Sequence, residues 1–530
     1  QNFNLTAYRE LKDAKYPFTL PYHQPLDVIR TYSDHLKVSR YDVLKAINPH
    51  PDAIITRAIE AESLGLSQEE YMILTGEAFD GTADTTQLHE YFGYSAAGDL
   101  ENMSQVRKFL HRSGVAYTDL VELVKTLFIN PHEEALDFLE KLFSYGSIDA
   151  NTIYSKLEQI EAGTLNSVVD ADIVALLTAY NSAEGTSVTP GEFDQWVVDH
   201  LGEFRQVITL YEPDSKCDLE TTKLRTIQSI YEASLTSGVS VDTWSKIHRL
   251  IRLWRKLGWT IHETDLVLAA LGEDDITIET ISKLESVFLL SAATKLPLNQ
   301  LAVLWGNIDT YGDKSLYKKL FLNKAVQEID EAFEADAWGD YLQDATEILA
   351  DHKSAILSAF RMTEKDLDAI LEVAQVIDGG NPRPLDIDTD ILNLQNLSTL
   401  YRYIVFAKAL KLKIFDLCTL VRLFDASPFS TWDIQGAEFV GINPDATREF
   451  YELAVSTKEA GFKATVLGYI LSGTLPADSN IGLDLDKVHR TARSIREAFT
   501  AIGQDHPDVP EAPLTTETIA AKLGLTFQGD

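Results

Sequence analysis

The feature that most constrains the fold of this chain is a recurring corner between two amphipathic helices. In IHRLIRLWRKLG (247–258) the apolar residues recur at helical spacing, and Gly258 follows them as glycine commonly follows a helix C-terminus. Thr260 then stands where an N-cap is expected, and Glu263 lies three residues later, at capping-box spacing. The stretch therefore predicts a helix, a tight corner and a second helix.

The same corner recurs along the chain. Three more copies have a cap and an acidic partner at the same spacing, and these are Ser39 with Asp42, Ser67 with Glu70 and Thr363 with Asp366. Weaker copies lack a proper cap, and they occur at 112–123, 294–304, 409–420, 459–470 and, at the end of the chain, 520–526. The spacing between corners is irregular, which argues against a solenoid of fixed period. Because each hairpin has an apolar face to bury, we predict an all-α fold of irregular, stacked helical hairpins.

The length of 530 residues predicts more than one packed unit, because single hydrophobic cores stop growing well below this size. Turn-forming residues cluster in predicted loops at 181–192, 211–218, 376–390, 425–433 and 503–513. From these loops we predict a helical domain over 1–205, a second helical lobe over 206–380 and a third over 381–530. The third lobe is expected to be truncated at its carboxyl end.

The charge balance limits the class of partner. The formal net charge is −35, from 81 acidic and 46 basic residues. This disfavours nucleic acid, which is bound largely through Lys and Arg, and it equally disfavours an anionic membrane surface. No run approaches the roughly 18 apolar residues of a membrane span. The two cysteines, Cys217 and Cys418, are too few for a disulfide framework or a thiolate zinc site, and we expect both to be buried as small apolar residues.

The pair His262-Glu263, close to Asp265, raises the question of a metal or acid/base site. A zinc helix of the His-Glu-x-x-His kind needs a second histidine at position 266, which is Leu266. Glu263 already has a structural role in the predicted capping box. We therefore predict that the pair belongs to a helical corner, and we predict no catalytic, cofactor-binding or metal-binding residues elsewhere in the chain.

A second candidate site is the acidic stretch DIDTDILNLQNL (386–397), where Asp386, Asp388 and Asp390 alternate as in a helix-loop-helix calcium site. Such a site needs glycine at its sixth position and glutamate at its twelfth. Here those positions hold Ile391 and Leu397. We therefore predict a loop that leads into a capped helix over 391–410.

The helix over 247–258 carries four cations, Arg249, Arg252, Arg255 and Lys256, on the side away from its apolar residues. In such an acidic protein, we expect this basic face to meet an acidic neighbour within an assembly.

Several segments, taken in order, resemble the A component of bacterial toxin complexes (Tc toxins). The segments 16–44, 61–76 and 109–131 are similar to its amino-terminal region, which is shared with the Salmonella virulence plasmid A protein. The segments 244–271, 396–424 and 452–471 are similar to the helical segments that follow in that family. The resemblance covers nearly the whole chain.

The resemblance implies an extended, multi-lobed α-helical shell that is not itself an enzyme. In that family five A subunits form a bell-shaped homopentamer around a channel, which is driven through a host membrane. The B and C components supply a cocoon that holds a toxic enzyme. The implied partners are therefore other A subunits, the B and C components through regions absent here, and a host-cell receptor or glycan.

The resemblance also implies a secreted, insecticidal virulence protein that acts at the host cell membrane. Because the chain shows no long channel-forming helix, we expect a shell fragment or a shell piece of a split subunit. The net charge of −35 leads us to expect that pH alters packing between shell subunits, because crowded carboxylates repel one another when ionised.

Two other function classes stay open. One is a generic helical protein–protein interaction scaffold without a toxin role. The other is an enzyme with a helical fold and no readable motif. Genes for B-like and C-like components beside the parent gene would separate the toxin role from the scaffold.

Overall fold

The computed structural model describes residues 4–505 apart from 132, 146–147, 213–217, 233–234, 313, 379–380, 433–438 and 474–484. Of the described residues 61% are helical and 5% lie in strands. The predicted all-α class is therefore confirmed. The chain divides into two compact units, Gln1–Glu459 and Ala460–Asp530. The predicted boundaries near 205 and 380 stay predictions.

The helices are numbered in chain order. Those up to residue 204 are α1 (Leu5–Asp13), α2 (Gln24–His35), α3 (Arg40–Ile47), α4 (Ala53–Ser63), α5 (Gln68–Thr75), α6 (Leu88–Tyr91), α7 (Val106–Ser113), α8 (Tyr117–Val124), α9 (Glu133–Tyr145), α10 (Ala150–Glu161), α11 (Ala171–Glu184) and α12 (Pro190–Phe204). Those from 227 to 371 are α13 (Ile227–Tyr231), α14 (Val241–Leu257), α15 (Ile261–Ala270), α16 (Ile278–Thr294), α17 (Leu298–Leu301), α18 (Leu316–Phe321), α19 (Lys324–Gln327), α20 (Lys353–Phe360) and α21 (Glu364–Leu371). The remaining α-helices are α22 (Leu394–Leu410), α23 (Ile414–Leu423), α24 (Pro444–Glu459), α25 (Ala464–Ser472) and α26 (Leu485–Asp505). Two 3₁₀ helices span Ala97–Ser104 and Ala302–Leu304.

Three small antiparallel sheets were not predicted. They pair β1 (Ile208–Tyr211) with β2 (Lys223–Thr226), β3 (Gln375–Asp378) with β4 (Asn381–Pro384), and β5 (Ser430–Trp432) with β6 (Phe439–Ile442). Each overlaps or adjoins a predicted loop, at 211–218, 376–390 and 425–433. Strands of three or four residues are too short to show a period-two pattern, so only the turn residues beside them are recognisable in the sequence.

The core of the first unit is built from the apolar stripes of stacked helices. Around α9 to α12, one cluster packs Leu139, Leu157, Ile173 and Phe193, all fully or almost fully buried. Other helix pairs stack in the same way, and these include α4 with α16, α16 with α24, α21 with α23 and α22 with α23. The predicted stacking of helical hairpins is therefore observed within this unit. The second unit contains α25 and α26, and α26 exposes nearly its whole length.

Within the described part of the chain, no single helix has both the length and the apolar composition of a membrane span. Ile278–Thr294 and Leu298–Leu304 meet the test together, but they are bent by 120° relative to each other.

Candidate functional site

The corner between α14 and α15 confirms the capping prediction. Gly258 ends α14 with φ +68°, the left-handed conformation that glycine adopts without steric strain. The Thr260 hydroxyl accepts the Glu263 N–H at 3.1 Å, and the Glu263 carboxylate accepts the Thr260 N–H at 2.9 Å. Glu263 is therefore the second half of a capping box, which satisfies N–H groups at the start of α15.

Asp265, two residues further on, joins this corner to a distant part of the chain. Its carboxylate accepts the backbone N–H groups of Leu127 at 2.9 Å and Phe128 at 2.8 Å. Burial raises the pKa of Asp265, while the two N–H donors favour its charged form. The side chain therefore binds main-chain donors that would otherwise be buried without partners. This role was not predictable from the sequence, because the donors lie far away along the chain.

His262 lies in the first turn of α15 and lines an open cleft of about 590 Å³. The cleft is also lined by Asn299, Asp309 and Lys319, and burial raises the pKa of Asp309. Among the described residues, no three His, Cys, Asp or Glu side chains are placed to hold a metal ion together. The cleft thus brings mixed charges together without a metal-binding geometry.

The other predicted corners follow the same rule. Ser67 and Glu70 form a capping box at the start of α5, and Thr363 and Asp366 form one at the start of α21. Ser39 accepts the N–H of Asp42 at 3.0 Å at the start of α3. The weaker corners are uncapped by side chains, as predicted, and their N-cap residues are Ala116, Pro297, Lys413 and Lys463. The copy at 520–526 lies outside the described residues.

The basic face of α14 is bound within its own chain, and its expected contact with an acidic neighbour in an assembly stays a prediction. Arg252 is only 8% exposed, and it donates to the carbonyl oxygens of Lys15 and Leu20, both at 2.6 Å. Arg255 donates to the Gly114 carbonyl at 2.8 Å. The two arginines are thus bound by main-chain oxygens of their own chain, and no acidic neighbour in another subunit is needed to explain them.

The two ends of the same face meet carboxylates within the chain. Arg249 pairs with Asp275 at 2.6 Å, and Lys256 pairs with Glu70 at 2.6 Å. The cations of α14 therefore fasten this helix to neighbouring segments of the first unit.

The acidic stretch at 386–397 is a loop before a capped helix, as predicted. Asp390 forms a salt bridge with Arg383 at 2.5 Å and accepts the Asp386 N–H at 2.8 Å. The Asp388 N–H donates to the Asp386 carboxylate at 3.0 Å, and Asn393 caps α22. The arginine lowers the pKa of Asp390 and occupies its carboxylate. Internal contacts therefore account for the carboxylates of Asp386 and Asp390, and the Asp388 side chain is exposed.

Of the two cysteines, Cys418 is fully buried in α23 as predicted, and burial raises the pKa of its thiol to about 12. Cys217 lies outside the described residues.

A buried polar cluster between α3, α4, α16 and α24 was missed by the sequence analysis. Glu60 is 8% exposed and accepts from the Ser282 hydroxyl at 2.8 Å, and burial raises its pKa to about 7. Glu285 is 7% exposed, accepts from the Tyr41 hydroxyl and faces Arg448, and burial raises its pKa as well. These side chains connect four helices through polar contacts in the interior.

A signal for part of this cluster was present in the sequence. Glu285 follows the fully buried Ile281 by four residues, so helical periodicity places its carboxylate on the buried face of α16. A carboxylate on an apolar face predicts a buried partner, although the sequence does not say which one.

Comparison with known proteins gives a likeness among solved structures. No protein-family model and no curated protein matches the chain. Among solved structures, the chain is similar to the cryo-EM structure of Morganella morganii TcdA4, with a TM-score of 0.46 and 12% sequence identity. The match covers 99% of this chain and 23% of that one, so this chain spans less than a quarter of that protein's length.

Proposed function

We propose that this chain is a structural shell portion of the A component of a bacterial toxin complex. The observation that carries the proposal is the ordered series of sequence segments that resemble this family. Five of these segments lie in the first unit, and each contains a corner between two helices, as in 61–76 with the corner before α5, 244–271 with α14 and α15, and 396–424 with α22 and α23.

The proposed role is mechanical, without a reaction catalysed by this chain. Stacked helical hairpins form continuous walls, because each hairpin buries its apolar face against its neighbours. Buried polar contacts, such as those of Asp265 and Arg252, fasten the layers together. Such a wall suits a shell around a translocation channel for an enzyme that the B and C components carry.

The proposed partners are like subunits in a homopentamer, the B and C components through other regions, and a receptor or glycan on the target cell. The proposed location is outside the bacterium, at the host cell membrane. The net charge of −35 supports one further part of the proposal, that pH alters packing between shell subunits.

Electron microscopy of the full-length parent protein tests this function. We expect a five-fold, bell-shaped particle in which residues 1–530 form part of the outer wall. A monomeric particle, or one without a central channel, would contradict the toxin role and favour a general interaction scaffold. Imaging the same particle from acid to alkaline pH tests the pH proposal, which a shell of constant packing would contradict.

The absence of catalysis is tested separately. We expect no saturable binding when the purified 530-residue chain is titrated with divalent metal ions and nucleotides. Stoichiometric binding of either, lost when residues of the cleft around His262 and Asp309 are substituted, would indicate an enzyme instead.

A further inference from the structure

The α2–α3 hairpin adds no buried residue to the core, unlike α4 and α5, which follow it in the chain. No residue from 22 to 58 is buried, although this range contains α2, α3 and the first half of α4. Most helical stability in proteins comes from packing an apolar face against other elements. This hairpin therefore lacks the usual source of stability.

Both ends of the hairpin are nevertheless anchored. Before it, Phe18 is buried, and Arg252 of α14 donates to the carbonyl oxygens of Lys15 and Leu20. After it, α4 enters the core with Ile59 and Ala61. The hairpin is therefore a span between two fixed points.

The main polar contact between the hairpin and the rest of the first unit is one buried carboxylate. Glu62 of α4 accepts two hydrogen bonds from Arg30 of α2, at 2.9 and 2.8 Å, and a further one from Arg40 of α3. Arg30 also donates to the carbonyl oxygens of Gly65 and Leu66, both at 3.0 Å. The Glu62 side chain is 5% exposed, so these charge-assisted bonds are poorly screened by solvent.

The apolar side of α2 faces away from this carboxylate. Val28, Ile29, Tyr32 and Leu36 fall on one stripe of the helix, and all four are exposed, Tyr32 and Leu36 to about 70%. The stripe therefore adds little burial that would hold the hairpin against the rest of the first unit.

We propose that residues 24–47 form a flap that opens as one unit about its anchored ends while the rest of the first unit stays folded. The hydrogen bonds of Glu62 to Arg30 and Arg40 hold the flap closed. Segments with few buried apolar contacts open at lower free energy than the core. Opening separates Arg30 and Arg40 from Glu62 and removes the Tyr41 hydroxyl from Glu285, so it uncovers the polar cluster beneath.

Hydrogen–deuterium exchange of the full 530-residue chain, read by mass spectrometry, tests the flap. We expect amides of 24–47 to exchange together and at least about tenfold faster than those of α14, the helix that supplies Arg252. Glu62→Gln should accelerate exchange in 24–47 by at least about a further tenfold and leave the peptides of α14 unchanged. Arg40→Gln, which removes one of the two arginines, should give a smaller acceleration confined to the same peptides.

Glu263→Gln serves as the matched control, because it removes an exposed carboxylate from another corner, and it should leave 24–47 unchanged. Three results would overturn the proposal. They are exchange of 24–47 at the rate of α14, an unchanged rate in Glu62→Gln, and equal acceleration of every peptide in that variant.

Discussion

Three charged side chains in the interior of this protein are bound by main-chain groups of distant segments. Arg252 and Asp265 both bind backbone atoms of distant segments, and Arg402 donates to the carbonyl oxygens of Val303 at 3.0 Å and Gly306 at 3.1 Å. Burial lowers the pKa of Arg252 and Arg402 to about 10. Because carbonyl oxygens accept from these guanidinium groups, each arginine can connect segments of the chain without an acidic partner.

Two arginines three residues apart on α14 allow a matched test of this idea. We expect Arg252→Met to lower the free energy of unfolding by about 3 kcal/mol, because it leaves buried carbonyl oxygens without donors. Arg255→Met removes a less buried guanidinium with one carbonyl partner, and it should cost less than about 1 kcal/mol. Urea denaturation measures both free energies of unfolding. Equal losses in the two variants would show that burial of the arginine does not determine its contribution to stability.

Glu60 should make stability depend on pH. Burial raises its pKa to about 7 in the folded chain, from an ordinary value of 4.5 for a glutamate. Below about 4.5 both states hold the proton, and between about 4.5 and 7 only the folded state keeps it, so stability falls as pH rises through this window. Glu60→Gln cannot ionise, so it should match the parent chain near pH 4.5 and be more stable by roughly 2–3 kcal/mol at pH 8.

Denaturation at the two pH values measures this difference. Glu449→Gln, at an exposed position of the neighbouring helix α24, is the control and should change stability little at either pH. A Glu60→Gln variant that is no more stable than the parent at pH 8 would show that burial does not penalise this carboxylate.

At the scale of elements, the corners differ mainly in whether their first residue can cap the helix. α23 starts at an uncapped Lys413, although Asp416 stands three residues later in the position of a capping-box partner. Lys413→Ser should therefore stabilise the protein by about 0.5–1 kcal/mol, whereas Thr260→Ala should destabilise it by about 1 kcal/mol. Thermal denaturation measures both, and shifts in the same direction would refute the capping rule for these corners.

The same contrast explains how much the sequence could predict. The capping boxes at Thr260 and Thr363 were predictable because donor and acceptor lie three residues apart. The partners of Arg252 and Asp265 are more than a hundred residues away, and no local pattern encodes them. Helical periodicity placed Arg252 on the polar face of α14. Periodicity shows which residues lie on the same face of a helix, but it does not show whether a long polar side chain on that face is buried against another segment.

At the scale of the whole molecule, the net charge of −35 opposes compaction through self-repulsion. Raising the ionic strength from about 0.01 M to about 0.1 M shortens the screening distance from about 30 Å to about 10 Å. We therefore expect the melting temperature at pH 7 to rise by about 2–5 °C over this range. Near pH 4.7, the isoelectric point, the rise should vanish, and a rise of equal size there would contradict this explanation.

The bonds from Leu127 and Phe128 to Asp265 have a consequence for biosynthesis. Their ends are 138 and 137 residues apart in the chain. At about 5–20 residues per second, the ribosome needs roughly 7–28 s to make the acceptor after the two donors. During that time the two N–H groups of the nascent chain lack the acceptor that they have in the folded protein. The native packing around Leu127 and Phe128 can therefore be completed only after the corner between α14 and α15 has been synthesised.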